Sequence, residues 1–247
     1  MSARSFFTPL LERDPSGRAW LGPLLRAAPR ALERLGADLV EQPGSLSMTL
    51  SVRGVSGVLG AFEYPLAPPR ELTSWLIENP QALSWVDEPD SSPQTVRLRR
   101  ALRFDDPPGS RTKAQERARE LMRTRSVLSQ EWWRFEGMGT IECLLMTDRL
   151  VLTVTTDAQD PRAAVTPWYP GRTRMIRAIE AARELAAGRA WACLLLSAAP
   201  LDAGEQILGQ AALAAAAPHL APGQREELRG AYLGNLTWEQ ADAAVAT

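Results

Sequence analysis

The chain has 247 residues, with 28 Lys+Arg against 29 Asp+Glu and a formal net charge of −1. Lys113 is the only lysine, His219 the only histidine, and Cys143 and Cys193 the only cysteines. These single copies exclude HExxH, Cys₂His₂ and Cys₄ metal sites within one chain, and any lysine-dependent mechanism that does not use Lys113.

At about 100–200 residues per domain, the length allows one large domain or two small ones. A 45% hydrophobic content with 23% charged residues suits a globular chain with a full core. Both cysteines stand in apolar surroundings, which predicts reduced, buried thiols and a cytoplasmic location. The run Met1–Leu11 is too short and too interrupted for a secretory core, and no window approaches about 18 apolar residues, so no membrane span is expected.

In chain order, Leu21, Leu24, Leu25, Ala28, Leu32, Leu35 and Leu39 recur at helical spacing, with Pro29 as a kink or split point. The alternating run Leu46–Val52 and the run Val55–Phe62 flank Gly54 and predict a hairpin. A helix is expected over Arg70–Glu78, ending before Asn79-Pro80. Asp87–Pro93, acidic and rich in Pro and Ser, reads as a linker.

From Arg97 to Arg125 ten basic residues face four acidic ones, a local balance of 10 − 4 = +6 that leaves −7 for the remainder. Ala114, Ala118, Leu121, Met122 and Leu128 form one apolar stripe there, and the arginines form no single opposing stripe. A solvated, snorkelling helix explains the segment more simply than a dedicated nucleic-acid surface does. It is still the place where a phosphate backbone would be met.

Trp132–Phe135, Thr140–Met146 and Leu150–Thr155 read as three strands, Arg172–Ala187 as a helix stopped by Gly188, and Ala190–Ser197 as a buried strand. The remainder is alanine-rich and predicts helices over Ala203–Pro218 and Pro222–Tyr232, a break at Gly234-Asn235, and a capped turn from Thr237. His219 sits beside Pro218 with no Ser/Asp pattern nearby, which favours a structural role. Trp132-Trp133 can serve base stacking or core packing, and packing is the simpler use. The expected class is α/β, with a hairpin-bearing α/β extension (1–95), a core (96–200) and a helical segment (201–247).

Three segments stand out within the core: Glu131-Trp-Trp-Arg-Phe-Glu-Gly137, the acid Glu142 on the next strand, and Thr166-Pro-Trp-Tyr-Pro-Gly-Arg172. Together with the helix-strand-strand-strand-helix-strand order, this stretch resembles a group of bacterial proteins of the PD-(D/E)XK nuclease-like superfamily, over about residues 105–200. The resemblance implies a restriction-endonuclease-like core in which Glu142, with Glu136 upstream, holds a divalent metal. It places the superfamily's Glu-Gly-Lys triplet on Thr155-Thr156-Asp157, so Thr155 replaces the glutamate and Asp157 the lysine.

Such a site needs carboxylates to hold Mg²⁺, which polarises the phosphate and activates water. Asp157 shares a strand face with residue 155 and can supply a replacement carboxylate, leaving Glu142 and Asp157 as a weak Mg²⁺ pair. The resemblance implies a non-catalytic nuclease-like protein that binds nucleic acid or a protein partner, with no cofactor or a weakly held Mg²⁺. The alternatives are a divergent Mg²⁺-dependent nuclease using Glu136, Glu142 and Asp157 with Lys113 as a migrated lysine, and a structural or assembly subunit.

Overall fold

The computed structural model describes residues 1–46, 61–89, 91–125, 131–158, 160–201 and 204–246. Four short helices come first: α1 (Ala3–Arg13), α2 (Leu21–Ala27), α3 (Ala31–Leu35) and α4 (Ala37–Glu41). Pro29 divides the helix expected from residue 20 to 39, and Gly36, at φ 78°, divides it again. The expected hairpin lies outside the described residues except at Leu46, Ala61 and Phe62, and the last two open strand β1 (Ala61–Leu66).

Helix α5 (Arg70–Glu78) follows, with Leu72, Leu76 and Ile77 buried. Helix α6 (Pro93–Phe104) starts on a Ser92 cap with proline at its first position, an arrangement that satisfies one orphan donor and removes another. Helix α7 (Ser110–Thr124) buries Ala114, Ala118 and Leu121. The chain then forms β2 (Gly139–Met146), β3 (Leu150–Thr156), α8 (Arg174–Leu185) and β4 (Ala190–Ser197). Short helices α9 (Gly204–Leu208), α10 (Gln210–Ala216) and α11 (Pro222–Gly230) lead to β5 (Tyr232–Thr237) and α12 (Trp238–Val245).

The strands form one mixed sheet in the order β1-β2-β3-β4-β5. The β1/β2 and β2/β3 pairs are antiparallel, and β3/β4 and β4/β5 are parallel. Helix α8 makes the crossover that a parallel β3/β4 pair requires. Every residue of β3 is buried, as a doubly covered central strand demands. One sheet face packs on α1, α2 and α12 through Phe7, Leu24, Leu25, Leu152, Val154, Leu194 and Trp238. The opposite face meets α8 through Leu144, Val151, Ala181 and Ala182, and Ile176, Ile179 and Leu195 continue that layer. A separate aromatic core joins α5, α6 and α7 to Trp132, Trp133, Phe135 and Trp168.

The α/β class therefore holds, with three differences in detail. Trp132–Phe135 is not a strand but a turn closed by Arg134 N–H donating to Glu131 O at 3.0 Å. A strand would send Trp132 and Trp133 to opposite faces, whereas here both enter the same aromatic core. The third antiparallel strand is instead β1, separated from β2 in sequence by the α5–α7 segment. The C-terminal segment is not wholly helical, because Gly234-Asn235 lies inside β5. Gly234 has φ 104°, and a Cβ there would stand 3.0 Å from Pro29 Cδ, so the glycine permits a close approach rather than ending an element.

Asp87–Pro93 is not a loose linker. Glu88 accepts from Trp168 Nε1–H at 2.7 Å, from Ser91 Oγ–H at 2.7 Å and from Arg99. Burial opposes its charge, and these donors outweigh burial, so the carboxyl is held below its ordinary range. No helix among the described residues is long and apolar enough to cross a membrane.

Candidate functional site

Glu142 lies on β2, and its Oε2 accepts from the Thr156 hydroxyl at 2.5 Å across the β2/β3 pair. Burial pushes the Glu142 carboxyl above the ordinary range. Hydrogen bonds from Thr156 and the charge of Arg174 oppose the shift, and the charge of Asp157 adds to it. Asp157 stands just past the end of β3, where its Oδ2 accepts from Ala198 N–H at 2.7 Å. Its carboxylate thus ties the ends of β3 and β4 together. Beside Glu142 a groove of about 160 Å³ opens between β2 and the first turn of α8, lined by Gly139, Thr140, Thr155, Arg174 and Arg177 among others.

Two of the four candidate residues are therefore neighbours at one end of β3, and the other two are placed elsewhere. Lys113 is exposed on α7 and does not line the groove. The Glu136 carboxylate is 3% exposed and faces two arginines: Arg177 Nε at 2.6 Å and Arg172 Nε at 3.4 Å.

A Mg²⁺ centre fits these residues poorly. Glu142 and Asp157 each already accept from a protein donor, and burial favours the protonated form of Glu142. Among the described residues no group of three His, Cys, Asp or Glu side chains could hold a metal ion. A hard cation wants several anionic or carbonyl oxygens aimed at one point.

The sequence did not reveal a buried ion network behind the groove. Arg172, 0% exposed, bonds Glu180 and faces Glu136, while the Glu180 carboxylate also meets His219 Nε2 at 2.7 Å. Burial works against the Glu180 charge, but Arg172 and His219 hold its carboxyl down to about 2. Burial likewise opposes the Arg172 charge, and Glu180 and Glu136 outweigh it, so the guanidinium is held above its ordinary value. At the rim Glu184 is 34% exposed and 3.6 Å from Arg177 Nη1. Its carboxyl is pushed up to about 7 by burial, against Arg177, with Glu180 adding to the push.

This network joins two of the three segments singled out in the sequence. The Trp-Trp-Arg-Phe-Glu-Gly and Thr-Pro-Trp-Tyr-Pro-Gly-Arg loops are bound to each other by Thr166 Oγ1–H donating to Phe135 O at 2.5 Å and by the Arg172–Glu136 pair. His219 is thus structural, as its loop position suggested, and it anchors the α10–α11 connection to α8. Cys143 and Cys193 are both free and buried, and burial pushes the Cys193 thiol up to about 12, so neither is a ready nucleophile.

The basic segment is largely neutralised by nearby acids, most of them outside it. Arg99, Arg100, Arg117, Arg119 and Arg125 pair with Glu88, Asp106, Glu120, Glu78 and Glu131. Arg103 and Arg111 donate to the carbonyls of Leu83 and Leu102. Arg97, Lys113 and Arg123 remain exposed with no partner among the described residues. Comparison with family models, curated proteins and solved structures gave no match.

Proposed function

We propose that the chain is a non-catalytic, nuclease-like α/β protein that acts by binding nucleic acid or a protein partner rather than by cutting phosphodiesters. The observation that carries this reading is the state of the Glu142 end of the sheet. Thr155 stands where a second acid would be needed, Asp157 is engaged by Ala198 N–H, and Lys113 is not at the groove. Without convergent carboxylates and an ammonium, neither the metal nor the attacking water is positioned. The antiparallel β1-β2-β3 order with an α8 crossover to a parallel β4 supports a restriction-endonuclease-like core, its first strand drawn from residues 61–66.

Three unpaired cations on α6 and α7 give phosphate contacts only a small purchase. Binding to nucleic acid through this face is expected to be weak and to fall with salt at a slope near −3 in log–log form, about −0.9 per phosphate. A metal-supplemented nuclease assay tests the main reading. No cleavage above background is expected with Mg²⁺ or Mn²⁺ in the wild type, Glu142→Ala or Lys113→Ala. Metal-dependent cleavage by the wild type that disappears in both variants would establish the divergent-nuclease alternative instead.

A further inference from the structure

We propose that the pocket between the first turn of α5 and the Trp133 turn binds a carboxylate group, one oxygen of which accepts from the Trp133 indole. This inference goes beyond the nuclease-like reading and does not depend on it, because it stands on the donors and charges that line the pocket.

Trp133 lines the pocket together with three arginines, Arg70, Arg125 and Arg134, and no acidic residue is among the described residues of its wall. The Trp133 side chain is buried, with the residue 3% exposed, and its Nε1–H has no acceptor among the described residues. An indole N–H can only donate, so burying it unpaired carries a desolvation cost that an incoming oxygen removes. Two other indoles of the protein show which acceptor suits this role. Trp85 and Trp168 each donate Nε1–H to a carboxylate, Asp87 at 2.8 Å and Glu88 at 2.7 Å.

The surroundings favour a negative charge. The Arg134 guanidinium lies 4.8 Å from the Trp133 ring centroid, which holds the indole in place beforehand. Burial works against the Arg134 charge and Glu131 offsets only part of that effect. Glu131 is also 3.6 Å from Arg125 Nε, beyond hydrogen-bond distance, and it does not line the pocket. Arg70 Nη2 donates to Met122 O at 3.1 Å, which fixes that guanidinium at the pocket. The first turn of the nine-residue α5 has no side-chain cap, and its end adds a partial positive charge. Glu71, the acid of that turn, lines the groove shared with Glu184 instead. The cavity holds about 20 Å³, enough for one water-sized group. One carboxylate oxygen fills it and the other is left for the Arg125 guanidinium, whose side chain is 60% exposed, whereas a phosphate group is too large to enter.

The Trp133 Nε1–H resonance in ¹⁵N–¹H spectra, assigned by its loss in Trp133→Phe, tests the site. Sodium acetate is expected to move it saturably, and sodium chloride at equal ionic strength is expected to leave it in place. Arg125→Gln, at an exposed position outside the aromatic core, is expected to weaken acetate by roughly tenfold. If Trp133→Phe fails to fold, through-bond spectra of the wild type assign the resonance and Arg125→Gln carries the test. A peptide with one internal aspartate that outcompetes acetate identifies a partner's side chain as the source of the carboxylate, and one that binds no better identifies a small free acid. The proposal is overturned if acetate does not move the resonance, as a single water at Nε1 would give, if chloride moves it equally, or if Arg125→Gln binds acetate as the wild type does. None of these results depends on whether the protein cleaves nucleic acid.

Discussion

The two α8 acids Glu180, buried, and Glu184, at the rim, differ in sign of effect, and their pH behaviour separates them. Glu180 has its carboxyl depressed from 4.5 to about 2, so the stabilisation it contributes is complete above 4.5 and is lost as the pH falls towards 2. Glu184 is shifted the other way, from 4.5 to about 7, so it costs stability progressively as the pH rises from 4.5 to 7 and keeps that cost above 7. Glu184→Gln is therefore expected to raise the melting temperature at pH 8 and to change little at pH 4, as thermal melts at the two pH values would show. Glu180→Gln leaves Arg172 buried with half its compensation, and a loss of about 3–5 kcal/mol in urea unfolding at pH 7 is expected. The sequence carried one sign of this network: Glu180 falls four residues after Ile176, on the inward face of α8, where a charge needs a partner. Its partners could not be read, because Arg172 and His219 reach it from separate loops rather than from helical neighbours.

Elements built from local pattern were readable, and those defined by distant contact were not. Helix α5 and strand β4 have the boundaries that spacing and turn residues predict, since Asn79-Pro80 and Gly188 stop the chain locally. Trp132–Phe135 has the composition of a strand, but its side chains are claimed by α6 and α7, a preference that no short window shows. Strand β5 was hidden by Gly234, whose reason is Pro29, about two hundred residues earlier. Gly234→Ala is expected to destabilise by more than 1 kcal/mol, because it meets both a positive φ and the proline ring, while Gly223→Ala, with open space around its Cβ, is expected to be near neutral. Denaturant midpoints of the two variants would distinguish these effects. The Thr237 cap, visible in sequence as Thr-x-x-Gln, is present with Gln240 N–H donating to Thr237 Oγ1 at 3.2 Å. Thr237→Ala is expected to cost about 1 kcal/mol in the same measurement.

At the scale of the whole molecule, the sheet core is assembled from residues 3–46, 143–196 and 233–245. α12 packs on α2, the Phe6 and Trp238 rings are 5.7 Å apart, and Arg13 Nη2 donates to Val245 O at 3.1 Å. Removing residues 232–247 exposes the β4 edge and the apolar face of α2 together. Such a truncation is expected to lose cooperative unfolding and to aggregate, as calorimetry and size-exclusion chromatography would show.

The closure of α1 and α2 by α12 also sets an order of events during synthesis. Phe6, Phe7, Leu24 and Leu25 emerge from the ribosome before Trp238 and Val245, which cover them, with more than two hundred residues between the two groups. Contacts of such long sequence separation form late, so an apolar surface stays uncovered while the residues between the two groups are being made.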